Sequence, residues 1–409
     1  MKISLQRAIC SLTSALDFVG IDEVHHGKRV ALMAQGIASE MGWSEAQCLE
    51  MLYAGMLHDC GVSRTREHKQ LTETLEWEGA QEHCLRGEQY LLACPPLAHY
   101  APIVRRHHTR WEVLTALPDS EEYRVRANLI FLADRADVLL APYVSGRALQ
   151  NEILWEYPRI VERLSGLAGT LFMPELVAAF TRAAKREAFW LRLDPSYIVD
   201  IVEEQLQREE QTDLNMSDAL AVAMLFARTV DAKSSYTLEH STRVAKITRY
   251  LAAASGSRGA DLDKIEIAGL LHDIGKLRVP EAIIDKPGAI TTEERAYVQR
   301  HSYDTGRILK QVFPGEPIAD WASMHHENLL GTGYPDHLPA SVIPWEARLL
   351  SVADIFQALA QERPYRARMS CQDVLRKLEE LKTLGRVDAE VVALVKTHAD
   401  DCYTLATSG

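Results

Sequence analysis

Residues 240–251, HSTRVAKITRYL, set Val244, Ile247 and Leu251 at intervals of three and four behind a histidine, which is the period of one face of an α-helix. Val374, Leu378 and Leu381 repeat that period further on, and alternating strand patterns are scarce, so the chain reads as all-α. The opening words also occur earlier. Residues 26–31 read HGKRVA where residues 240–245 read HSTRVA, and an apolar helix follows each. A His-Asp pair lies 32 positions beyond each first histidine, at His58-Asp59 and at His272-Asp273. His83 and His301 come next, each followed 24 positions later by a doublet, His107-His108 and His325-His326. Each half then carries an Ala-Asp pair, at Asp134 and Asp354. A lone histidine on a helix is usually a packing residue, whereas six matched positions in the same order mark a duplication.

A chain of 409 residues has the length of two domains. The Glu- and Gln-rich stretch 203–218, EEQLQREEQTDLNMSD, has few large apolar residues and predicts a helical connector between two tandem helical domains. The boundary is therefore placed at residue 205, giving domains 1–204 and 205–409. Hydrophobic residues at 47% and charged residues at 25% describe a globular protein with ample core. A net charge of -12 excludes broad contact with polymeric nucleic acid, which needs Lys and Arg on phosphates. A phosphate-bearing ligand would need local positive charge, such as metal ions supply. Seven scattered cysteines without a CxxC pair fit a reducing cytoplasm. Residues 1–20 carry polar residues at short intervals, and no window approaches the roughly 18 apolar residues of a membrane span, so neither signal peptide nor membrane anchor is expected.

In the second half, His240, His272, Asp273, His301, His325, His326 and Asp354 make seven candidate ligands, all imidazole or carboxylate. Such an N/O set suits iron or manganese first, with nickel or zinc also compatible. Seven donors exceed one tetrahedral ion and suit two divalent ions roughly 3.5–4 Å apart, the arrangement that clamps attacking and leaving oxygens in phosphoester hydrolysis. Asp273, with two carboxylate oxygens, is the candidate bridge. Gly275, soon after the apolar run 265–271, reads as a helix stop.

With these residues assembled, the second half resembles the HD-GYP subgroup of HD-domain phosphohydrolases from about Leu220 to His398. The matching words are HSTRVA, LLHDIGKLRVPEAIIDKPGAIT, RHSYDTG, MHHENLLGTGYP, SVADIFQAL and ERPYR. The resemblance implies a hydrolase that opens cyclic di-GMP or 3′,3′-cyclic GMP-AMP to the linear dinucleotide, with the seven residues as metal ligands. It implies that Asp273 and Lys276 are catalytic, the lysine steadying phosphoryl charge. Arg363 and Arg366 resemble the pair that grips substrate phosphates. Gly331, Gly333, Tyr334 and Pro335 form the signature loop. Three positions depart from the family: Tyr236 stands where some members carry a third-metal glutamate, and Leu330 and Gln357 replace common aspartates. The departures favour two ions and touch loop partners and specificity rather than hydrolysis.

The first half keeps His26, His58, Asp59, His83, His107, His108 and Asp134, and has Asp22 four residues before its first histidine. Val62 replaces the lysine, and HHTRWEVL replaces the signature loop. It therefore reads as a degenerate HD domain with a structural or regulatory role, its metal binding left open. A receptor or docking module that binds the nucleotide without hydrolysis is the competing reading, and an HD phosphohydrolase of mononucleotides is a third. The sequence admits a homodimer and a diguanylate cyclase or other signalling partner.

Overall fold

The computed structural model describes residues 3–19, 25–144, 153–208, 210–234, 239–362 and 367–408. It is helical throughout. Among the described residues no strand forms, and the only β-type pairings are isolated bridges, Ser4 with Asp213 and Ala168 with Phe172. No helix among them is long and apolar enough to cross a membrane.

The chain divides into two compact units, Ser4–Asp213 and Leu214–Gly409, the latter joined by Met1–Ile3. The first unit carries α1 (His26–Glu40), α2 (Glu45–Leu57), α3 (Ala80–Leu92), α4 (Ala101–Arg106), α5 (Glu121–Val144) and, at its end, α6 (Ile198–Arg208). In the Glu-rich connector helix runs to Arg208 and resumes at Met216. Residues 210–215 are not helical, and the Leu5 amide donates to the Thr212 carbonyl at 3.0 Å within the same unit. The second unit is built on α7 (Met216–Asp231), α8 (His240–Ala254), α9 (Ala260–Leu271), α10 (Thr292–Val312), α11 (Ile318–Ser323) and α12 (Trp345–Ala360).

Both units use the same close helix crossing. A Cβ on Gly55 of α2 would lie 2.6 Å from the Ala31 Cα of α1, and a Cβ on Gly269 of α9 would lie 2.7 Å from the Ala245 Cα of α8. Small residues therefore let the helix that starts with a histidine press against the helix that ends in His-Asp. Val244, Ile247 and Leu251 on α8 are fully buried against this seam, together with Leu349, Val352 and Phe356 of α12. Ser44 with Gln47 and Thr291 with Glu294 form capping boxes that start α2 and α10.

Candidate metal centre

His240 is the first residue of α8, and no cap comes from its own flank. Asp231, at the end of α7, supplies one: its carboxylate accepts from the Ser241 amide at 3.0 Å and the Ser241 hydroxyl at 2.7 Å. Helix α9 ends at Leu271, His272 is its C-cap, and the chain turns through Asp273 into a 3-10 turn, Ile274–Arg278. Gly275 is thus not the helix stop expected of it, because the helix has already ended. Its need for glycine comes from packing: a Cβ there would stand 2.1 Å from the His301 carbonyl on α10. A Cβ on Gly61 would likewise stand 2.1 Å from the His83 carbonyl in the first unit. His325 and His326 follow α11, and Asp354 lies in α12.

These segments bring all seven predicted residues to one place. Asp273 Oδ2 lies 3.4 Å from His240 Nε2 and 3.3 Å from His272 Nε2, while Asp354 Oδ1 lies 3.4 Å and 3.9 Å from the same two nitrogens. The other oxygen, Asp273 Oδ1, lies 3.4 Å from His301 Nε2 and 3.7 Å from His325 Nε2. His301, His325 and His326 hold their donor atoms within 4.8 Å of one another. One carboxylate therefore faces two separate histidine sets, one oxygen to each. His240 Nε2, His272 Nε2 and Asp273 Oδ1 are buried without a hydrogen-bond partner. Orphaned buried donors and acceptors are costly unless something binds them, so the residues fit divalent cations.

Four of the five histidines have their outer ring nitrogen engaged. The Nδ1 of His272, His301 and His325 donates to the carbonyl oxygens of Gly269, Val298 and Ala322, at 2.8, 2.5 and 2.6 Å. His240 Nδ1 donates to Gln357 Oε1 at 2.6 Å. Each contact turns Nε2 inward, toward the place a metal would take. Burial pushes His301 down to about 3 and His326 to about 4, so these rings are neutral. Burial alone would lower His240 too, but Asp273 and Asp354 outweigh it and raise it to about 9. Burial likewise opposes ionisation of the two carboxylates, yet His272 and Lys276 around Asp273, and His240 beside Asp354, hold both well below the usual carboxylate range. Lys276 Nζ donates to Asp273 Oδ2 at 2.5 Å.

The loop after the doublet is a fixed structure. Glu327, buried, accepts from the Asp336 amide at 2.7 Å and the Leu338 amide at 3.0 Å, and the Asn328 side chain accepts from the Leu330 and Thr332 amides. Gly331 has φ 68°, open to glycine at no steric cost, and a Cβ on Gly333 would lie 2.5 Å from the Glu327 Cα. The Tyr334–Pro335 peptide is cis. Folded so, the loop lays the Tyr334 ring over His326, 4.8 Å between centroids, and burial pushes its phenol upward. Arg363, Arg366 and Tyr236 lie outside the described residues. Two contributors were missed from sequence. Glu327 was signalled only by an acid directly after the doublet, and Gln357, noted as a departure, orients a candidate ligand.

An HD domain model matches residues 224–391, and another HD domain model matches residues 24–139. The chain is 36% identical over 413 residues to 3'3'-cGAMP-specific phosphodiesterase 1 of Vibrio cholerae, covering 99% of this chain and 94% of that protein. It is 34% identical over 149 residues to a cyclic di-GMP phosphodiesterase of Thermotoga maritima, covering 36% of this chain and 40% of that one. The crystal structure of a cyclic GMP-AMP specific phosphodiesterase of V. cholerae, V-cGAP3, superposes with a TM-score of 0.65 at 24% identity, covering 98% of each chain, a likeness of fold.

Proposed function

Since the chain belongs to the HD-domain phosphodiesterases of the HD-GYP type, we propose that its second unit hydrolyses a cyclic dinucleotide to the linear dinucleotide at a binuclear metal centre. The observation that carries this reading is the one carboxylate, Asp273, whose two oxygens face two histidine sets. His240, His272 and Asp354 would hold one ion, and His301, His325 and His326 the other, with Asp273 between them. When bound, the ions supply the positive charge that polarises phosphoryl oxygens and makes a water acidic near neutral pH. Iron or manganese suits the donor set best. The chain's own groups do the rest. His301 and His326, held neutral by burial, offer lone pairs without first losing a proton, whereas His240, raised to about 9 by Asp273 and Asp354, gives one up. Lys276 brings an ammonium to the charge that builds on phosphate or leaving oxygen. Arg363 and Arg366 are proposed to grip the substrate phosphates. Gly331, Gly333, Tyr334 and Pro335 would line the base-binding side, with the tyrosine ring as its wall.

The relative that matches nearly the whole chain is specific for 3'3'-cGAMP, which makes the hybrid dinucleotide the first substrate to test. Protein loaded anaerobically with iron is incubated with 3',3'-cyclic GMP-AMP and, separately, cyclic di-GMP, and products are resolved by chromatography. Linear dinucleotide supports the reading, and binding without product overturns it in favour of a receptor. Lys276→Met lowers kcat by roughly 10²- to 10³-fold, the size typical of losing one charge-stabilising donor, while metal per chain stays unchanged. An equal loss of metal would instead make the lysine structural.

A further inference from the structure

The first unit contains a second set of donors that the proposed hydrolysis does not use. Asp59 Oδ1 lies 3.4 Å from His83 Nε2 and 3.8 Å from His107 Nε2. Asp59, His83, His107 and His108 present four donor atoms that all lie within 4.8 Å of one another. Four ligands about 2.0–2.1 Å from one central ion lie roughly 3.3–3.4 Å apart when tetrahedral, and the Asp59–His83 and His83–His107 separations of 3.4 and 3.2 Å are close to that edge. His83 and His107 are fully buried, and Asp59 Oδ1 has no hydrogen-bond partner. The His83 and His107 Nε2 atoms face each other at 3.2 Å, while His107 Nδ1 donates outward to the Val104 carbonyl at 2.7 Å.

Two changes from the second unit shape what this cluster can do. Val62 stands where Lys276 stands, so the ammonium that sits on Asp273 has no counterpart on Asp59. A cation binding Asp59 therefore meets no competing lysine, but the site also lacks the donor that would steady a phosphoryl group. Arg135, buried, holds Asp134 Oδ2 at 2.7 Å through Nη2, where the second unit has Ile355 beside Asp354. That arginine occupies part of the carboxylate that would complete the set around His26 and His58, and it leaves the four-donor group as the better site.

We propose that the first unit binds one divalent ion of the zinc class, four-coordinate, in Asp59, His83, His107 and His108, and holds it without hydrolysing phosphate esters. Three imidazoles and one carboxylate fill the four positions of a tetrahedral ion and leave none for a water or a substrate, which is the mark of a structural rather than a catalytic ion. The proposal does not rest on the second unit's chemistry.

The test uses the full chain with the second site disabled by Asp273→Ala and His301→Ala. After dialysis against zinc and then metal-free buffer, metal is counted by mass spectrometry. A parallel sample is loaded with cobalt and its visible spectrum recorded. About one zinc per chain and the intense absorption of tetrahedral cobalt are expected. Both should vanish on adding His83→Gln or Asp59→Asn, with the circular dichroism of the helices retained. A chain that retains no zinc, a weak octahedral cobalt spectrum, or an ion that survives both further substitutions overturns the proposal. Because the cobalt spectrum is read with the first unit unaltered, a folding failure in either variant leaves it decisive.

Discussion

Asp273→Ala reduces turnover of the cyclic dinucleotide to the assay floor, a loss on the order of 10³-fold or more, and lowers the metal held by the second unit. The size follows from geometry. Asp273 is the only carboxylate among the described residues whose two oxygens reach both histidine sets of this unit, Oδ2 toward His240 and His272 and Oδ1 toward His301 and His325. Removing it separates the sets and also frees the Lys276 ammonium from its acceptor. Kinetics alone would not distinguish lost chemistry from lost metal, so the check pairs steady-state hydrolysis with a metal count. Near-normal activity with full metal content would exclude the bridging arrangement.

Gly275→Ala destabilises the second unit by about 3 kcal/mol, the upper end of what overpacking typically costs. A methyl there would need to occupy space 2.1 Å from the His301 carbonyl, which is backbone and cannot swing aside. The collision is relieved only by moving the turn Ile274–Arg278 or helix α10, and each carries groups of the site. For a unit of this size the thermal transition should fall by roughly 6–12 °C. Calorimetry of the metal-free chain reads the stability term, and metal titration reads the displacement of His301. A transition shifted by less than a degree would show that the turn has room the structure does not contain.

Much of this was legible in residue order. Helical spacing after His240 gave all-α, and two copies of one histidine pattern gave the duplication, because ligand identity and helix period are both local properties of the chain. The close crossings at Gly55 and Gly269 were not legible, since a glycine inside a helix announces itself only by what presses against it. Gly275 shows the same limit: its position past an apolar run looks like a stop signal, and only the partner helix reveals the true constraint. Glu327 escaped notice because the amides that donate to it come nine and eleven residues later, joined to it by the shape of the loop. The connector misled for a related reason. Its composition favours helix, but residues 210–213 instead meet Ser4, Leu5 and Gln6, a pairing across the length of the unit.

One substitution between the two copies reaches further than orientation. Behind His26 stands Asp137, which takes the ring at 2.7 Å and holds Arg29 through both oxygens. Behind His240 stands Gln357, and the matching Arg243 turns to the exposed Glu239, its Nε left without a partner. The exchange of carboxylate for amide removes one negative charge from beneath the second site while keeping the guanidinium. In a chain with a net charge of -12, that local imbalance favours the approach of an anion. The unit proposed to admit a cyclic dinucleotide, with one negative charge on each of its two phosphodiesters, is thus the one whose floor has lost a carboxylate, and the copy without that task has kept it.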